Sequence, residues 1–227
     1  MVQPLTAVAL QTLGLPADFS ALILRQAEQT VSHWSGGSTR QLAIAPADSK
    51  LAQRNFRWRF SAASVEQDGA FSAFAGYQRL LMLREGYGLQ LTVEQHQLQL
   101  NGPTYLARFS GSASTTGRLL AGPVGDLNLI FASDLQGGLS RLIHPQCLNG
   151  EQFWQGIEQA RLWLILANRP LTLTLPDQQW QLQRGDVAVF HGWFSLTPAA
   201  KPATAEPKQI GDDETLGWLG WLGWLCC

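Results

Sequence analysis

Apolar and polar residues alternate with a period of two along much of this chain, and that rhythm restricts the fold more than any other feature. The stretch "FRWRFSAASV" (56–65) sets Phe56, Trp58 and Phe60 on one face and Arg57, Arg59 and Ser61 on the other. Segments 89–100, 126–131, 171–175, 180–183 and 186–190 repeat the habit. Successive side chains of a strand point to opposite faces, so each run reads as a strand with one buried face. Helical periodicity is confined to "EQFWQGIEQA" (151–160) and a turn near 17–23. Many short strands separated by Gly, Asn and Asp turns predict an all-β sandwich or barrel with few short helices.

The 227 residues, 45% of them hydrophobic, suffice for a sizeable core. Charged residues are 15%, below the ~25% of an average globular domain. A formal net charge of −1 gives no electrostatic case for nucleic acid or an anionic membrane. Lysine occurs only at Lys50, Lys201 and Lys208, so the positive charge is mostly arginine. Arginine suits planar carboxylates, although genomic composition explains such a bias equally well. Three cysteines, Cys147, Cys226 and Cys227, form no disulfide framework and argue for a reducing compartment. The first residues lack a basic run, and no apolar run reaches the ~18 residues of a spanning helix, so the expected location is cytoplasmic.

The chain also echoes itself. Segment 80–111 can be laid over 162–192 so that Leu89, Leu91 and Thr92 fall on Leu171, Leu173 and Thr174. Gln99 and Leu100 then fall on Gln181 and Leu182, and Phe109 and Gly111 on Phe190 and Gly192. Each copy reads strand, turn, strand, turn, strand, which predicts a duplicated β-unit. "LQRGDVAVFHG" (182–192) is similar to the closing strands of cupin barrels, so two copies suggest a bicupin. The predicted domain is 1–196, with halves near 1–115 and 116–196. Beyond it, 197–227 reads as a flexible Pro/Ala/charged linker and a Trp-rich tail. The Gly-Trp-Leu triplet at 217–225 is too short to cross a bilayer. It could lie at a membrane interface, dock on the barrel, or be a non-native end.

"HWSGGSTRQLAIAP" (33–46) is not a nucleotide loop. Its glycines are adjacent, it has no lysine, and Leu42 and Ile44 continue as a strand. A Gly-Gly corner between strands accounts for it. The four histidines, His33, His96, His144 and His191, have no metal-ligand spacing, and no serine or cysteine sits in a nucleophile motif. No metal, cofactor or catalytic constellation is predicted.

Several motifs match one family. "GGSTRQLA", then Trp58-Arg59-x-Ser61, Asp68-Gly69-x-Phe71-Ser72-x-Phe74-x-Gly76, Arg79, Glu85-Gly86-x-Gly88 and "GPVGDLNLI" occur in order. Together they resemble the HutD/Ves family of bacterial bicupin proteins, over roughly 22–195. The family loop usually carries Lys-Asn before its glycines, and an Arg where this chain has Gly125. The resemblance implies a metal-free bicupin that binds a small acidic metabolite such as formylglutamate or urocanate and limits histidine utilisation. It implies no established reaction.

With that frame, Arg40 and Arg59 are expected to point into a barrel mouth with Ser61, Arg79 and Asn128, and with Trp34 and Phe71 as apolar walls. Core packing is the plainer role for Phe71, Phe74 and Trp58, and Asp126 could pair with an arginine. The predicted partner is a small acidic metabolite, with homodimerisation left open. The alternative is a metal-free isomerase or epimerase using Glu85 or His191 as base.

Overall fold

The structure, a computed structural model, describes residues 5–101, 105–142, 161–198 and 215–224. Helix α1 (Ala7–Thr12) is capped by Thr6, whose hydroxyl accepts from the Ala9 N–H, and it buries Leu10 and, just beyond, Leu13. Strands β1 (Ala21–Leu24), β2 (Val31–Trp34), β3 (Gly37–Ala45), β4 (Trp58–Val65) and β5 (Gly69–Ala70) follow. Next come β6 (Tyr77–Glu85), β7 (Leu89–Val93), β8 (His96–Leu100), β9 (Leu106–Ser110), β10 (Thr115–Leu119) and β11 (Val124–Ala132). The second half comprises β12 (Leu135–Leu142), β13 (Leu162–Ala167), β14 (Leu171–Thr174), β15 (Gln179–Leu182), β16 (Val187–His191), β17 (Ser195–Pro198) and β18 (Gly217–Trp224).

The strands form four sheets: β2-β3-β4-β11-β6-β9, β5-β10-β7-β8, β1-β16-β13-β18-β12 and β15-β14-β17. In each half a small sheet packs on a large one. Leu81, Leu89, Leu91 and Phe109 fill the first sandwich, and Trp163, Leu171, Leu173 and Phe190 fill the second. The outer faces of the two large sheets pack on each other through Trp58, Phe60, Leu127, Leu129, Leu164, Val189 and Leu222, with α1 at one end. Three stacked cores result, and no closed barrel forms among the described residues.

The duplication is borne out in the register. Each copy has four strands rather than three: β6 to β9, and β13 to β16. Leu89 faces Leu100 as Leu171 faces Leu182, and Leu91 faces Leu98 as Leu173 faces Trp180. β11 pairs with β6 just as β18 pairs with β13, so the Trp-rich strand holds in the second half the place of β11 in the first.

Three expectations are therefore corrected. The fold does not end at 196. β18 lies between β12 and β13, with Trp218 and Leu222 on the inter-half core and Leu219 and Trp221 on the second sandwich. A triplet repeat on a period-two strand sends Trp and Leu to both faces, and Gly138, Gly137 and Leu139 of β12 stand opposite Trp221, Leu222 and Gly220. The halves meet between β11 and β12, not at 115, because β10 and β11 complete the first repeat. The helical turn expected at 17–23 is in part strand β1, whose backbone pairs with β16. The helix expected at 151–160 lies outside the described residues, as does the linker expected from 197 to 214 apart from 197–198, which belong to β17.

Candidate functional site

The first sandwich contains a cavity of about 230 Å³ between its two sheets. Alternation positions its polar wall. On β4, Trp58, Phe60 and Ala62 turn to the inter-half core, which sends Arg59 and Ser61 the other way. On β11, Leu127 and Leu129 face that core, which leaves Asp126 and Asn128 on the cavity. On β6, Arg79 alternates with Leu80 in the same manner. β4, β11 and β6 are adjacent, with Arg59 opposite Ile130 and Ile130 opposite Arg79, so these side chains converge across three strands.

The mouth is built by the glycine corner. β2 and β3 form a hairpin with Trp34 opposite Gly37. A Cβ at Gly37 would fall on the Ser64 carbonyl oxygen, so only glycine lets β3 lie this close to β4. The Trp34 indole N–H donates to Thr39 Oγ1 at 3.2 Å, which holds the half-exposed ring at the rim. Phe71 crosses β10 at Gly117, where a Cβ would stand 2.7 Å from the ring.

The charges inside are unusual. Arg59, Arg79 and Asp126 are 5%, 6% and 0% exposed. Arg59 donates from Nε to Gln41 Oε1 and from Nη1 to Ser61 Oγ, each at 3.1 Å, and makes no ion pair among the described residues. Arg79 donates from Nε to Asn128 Oδ1 at 2.7 Å, and Asn128 Nδ2 donates to Asp126 Oδ1 at 2.5 Å. The Arg79 guanidinium also lies over the Phe71 ring, 4.8 Å from its centroid. Asp126 Oδ2 has no hydrogen-bond partner. Burial lowers both guanidinium pKa values to about 10; for Arg79 the carboxylate of Asp126 opposes the fall and Arg59 adds to it. Burial raises the Asp126 carboxyl to about 6 against the pull of Arg79 and Arg84 and the Asn128 hydrogen bond. Two buried cations thus face one carboxylate that is itself reluctant to ionise.

Six of the seven residues expected at the site line this cavity: Trp34, Arg59, Ser61, Phe71, Arg79 and Asn128. Arg40 does not. Its neighbour Thr39 faces the cavity, so Arg40 points to the opposite side of β3 and lines a second cavity between the halves. A bulge between Gln41 and Ala43 then reverses the parity, which also breaks the expected Leu42/Ile44 face. Glu85 lines that second cavity as well, and His191 is held by the Leu5 N–H and the Phe19 carbonyl, so neither proposed base reaches the site. Asp126 lines the cavity and Gln41 holds Arg59 there, and neither is in the expected set.

A family model described as HutD matches residues 26–205. The chain belongs to the HutD family. A protein in the 3′ region of hutC in Pseudomonas putida is 37% identical over 97 residues, which cover 43% of this chain. The chain matches about half the length, 50%, of that curated relative. A conserved protein of unknown function from Pseudomonas aeruginosa PAO1 superposes with a TM-score of 0.67 at 27% identity, over 90% of this chain and 98% of that one. HutD from Pseudomonas fluorescens SBW25, determined in a formate condition, gives 0.59 at 23% identity over 91% and 100%, a likeness of fold.

In this HutD-family chain, no group of three His, Cys, Asp or Glu side chains converges to hold a metal among the described residues. No helix of the described residues is long and apolar enough to cross a membrane.

Proposed function

We propose that this chain binds a small carboxylate-bearing metabolite in the first-half cavity and acts as a regulatory sensor in histidine utilisation, with a formylglutamate- or urocanate-like acid as ligand. The observation that carries the reading is Arg59, a buried guanidinium whose hydrogen-bond partners are neutral side chains. A buried charge without a counter-charge is costly, and a ligand carboxylate would remove that cost with two-pronged contacts. The second guanidinium, Arg79, is shared with Asp126 through Asn128, so one net positive charge remains. A volume of about 230 Å³ falls below the ~300–1,000 Å³ of drug-sized pockets and suits a small acid. The position of a relative beside hutC supports the link to histidine utilisation.

Thermal denaturation in the presence of urocanate, formylglutamate and their uncharged amides tests this. A ligand at about 100 times its dissociation constant adds about 2.7 kcal/mol, and the acid should stabilise where its amide does not. Equal shifts with acid and amide would remove the carboxylate from the account.

One observation favours a second reading as a metal-free enzyme. Asp126 combines a pKa raised to about 6 with an unpartnered oxygen in the cavity, the features of a general base. Conversion of a bound acid by the parent but not by Asp126→Asn would establish it.

A further inference from the structure

The second cavity, of about 380 Å³, opens at one end of the contact between the two large sheets. It takes Arg40 from β3, Arg84 and Glu85 from β6, Gln29 from the loop before β2, Arg184 from the β15–β16 turn, and Trp218 from β18. These residues come from both halves, so the chamber exists only because the halves are stacked. It shares no lining residue with the first cavity.

Its buried polar atoms lack partners in a consistent way. Gln29 Oε1, Arg84 Nε and Trp218 Nε1 are buried and make no hydrogen bond. The Gln29 amide nitrogen donates to the Gly185 carbonyl at 2.8 Å, which fixes its orientation and leaves Oε1 as an acceptor. Arg84 is held by an ion pair with Glu85 at 3.6 Å and by the Trp218 ring, 5.5 Å from its guanidinium carbon. Burial lowers the Arg84 pKa, Glu85 and Asp126 oppose the fall, and Arg184 and Arg40 add to it, so both guanidiniums lie within electrostatic reach of Arg84. Among the lining residues Glu85 alone stands against them, a formal count of +2, and the Asp126 carboxyl of the first cavity also acts on Arg84. Buried polar groups of native proteins are ordinarily paired, so two unpaired donors and one unpaired acceptor in one chamber describe the complement of a ligand.

We infer that this inter-half cavity binds a small dianion that also carries a hydrogen-bond donor, of the phosphate or hydroxy-dicarboxylate kind. The anionic oxygens meet Arg40, Arg84, Arg184 and the Trp218 N–H, and the donor meets Gln29 Oε1. Because β18, β6 and the β15–β16 turn all contribute, occupancy ties the two halves together.

Calorimetric titration of the full chain at about pH 8, where inorganic phosphate is mostly the dianion, tests the inference with four probes. Phosphate should bind more tightly than sulfate, and malate more tightly than succinate, because the second member of each pair lacks the hydroxyl. The tighter of phosphate and malate identifies the source of the anion. Arg184→Gln, at an exposed position, and Arg40→Gln should each weaken binding about tenfold or more, the scale of one charge-assisted hydrogen bond. Gln29→Met should bring phosphate down to the level of sulfate. Arg118→Gln, at an exposed position on β10 outside both cavities, should leave all four within about twofold, a factor small against the tenfold expected for one charge-assisted hydrogen bond. No heat with any probe, or phosphate bound by Arg184→Gln and Arg40→Gln as tightly as by the parent, would overturn the assignment.

Discussion

The clearest consequence of the topology concerns the C-terminal strand. Leu222 and Leu219 are 0% and 1% exposed and lie on opposite faces of β18, one in the inter-half core and one in the second sandwich. Truncating a buried leucine to alanine costs about 2–5 kcal/mol, through lost burial and the cavity left behind. For a chain of this size each kcal/mol lowers Tm by about 2–4 °C, so Leu222→Ala and Leu219→Ala should each melt roughly 4–20 °C below the parent. Removing 215–227 should be more damaging. It takes away the strand that pairs with β12 over eight residues and with β13 over six. Such a loss is comparable with the whole ~5–15 kcal/mol stability of a domain, so the second half should lose cooperative unfolding. Circular dichroism melts and scanning calorimetry read both effects. If both leucine variants and the truncation melt within about 2 °C of the parent, as surface changes do, the placement of β18 is wrong.

Asp126 gives a pH dependence. Its folded pKa of about 6 lies above the ordinary 3.8, so the protonated form favours folding. That stabilisation is fully present below 3.8 and is lost as pH rises through about 6, up to about 3 kcal/mol. Asp126→Asn should flatten this segment of the stability profile measured by urea titration, and an unchanged profile would contradict the assignment. Formate, ionised throughout the upper part of this window, should bind the parent more tightly as pH falls from about 7.5 to 5.5 across the raised carboxyl pKa, and Asp126→Asn should lose that dependence. Gly37→Ala should cost about 1–3 kcal/mol by forcing β3 away from β4, visible in a chemical melt and as a change in Trp34 fluorescence.

Much of this architecture is legible in the sequence because most strands have one polar face. The alternation in 56–65 and 126–131 put Arg59, Ser61 and Asn128 on the side away from the aromatic core, and the structure gathers them in one cavity. The same rule failed for Arg40, where the bulge at Gln41 and Ala43 changes the parity and no local residue announces it. It failed for 217–224 because both faces of β18 are buried, so no alternation appears and the glycines read as flexibility rather than as room for neighbouring side chains. The inter-half cavity was invisible for a different reason. Its residues come from distant segments, and their convergence depends on how two finished sandwiches stack. Asp126 shares its strand face with Asn128, a visible pattern, but its raised pKa follows from burial, which sequence does not report.

The central claim is that Arg59 waits for a ligand carboxylate rather than serving an internal pair. Its hydrogen bonds go to Gln41 and Ser61, and replacing it by methionine leaves no carboxylate stranded. The decisive measurement is calorimetric titration of Arg59→Met, beside the parent, with the small acid that stabilises the parent most. The variant should melt near the parent and lose about 1.5–3 kcal/mol of binding, roughly 10- to 150-fold in Kd. A well-folded Arg59→Met that binds the acid as tightly as the parent would contradict the account.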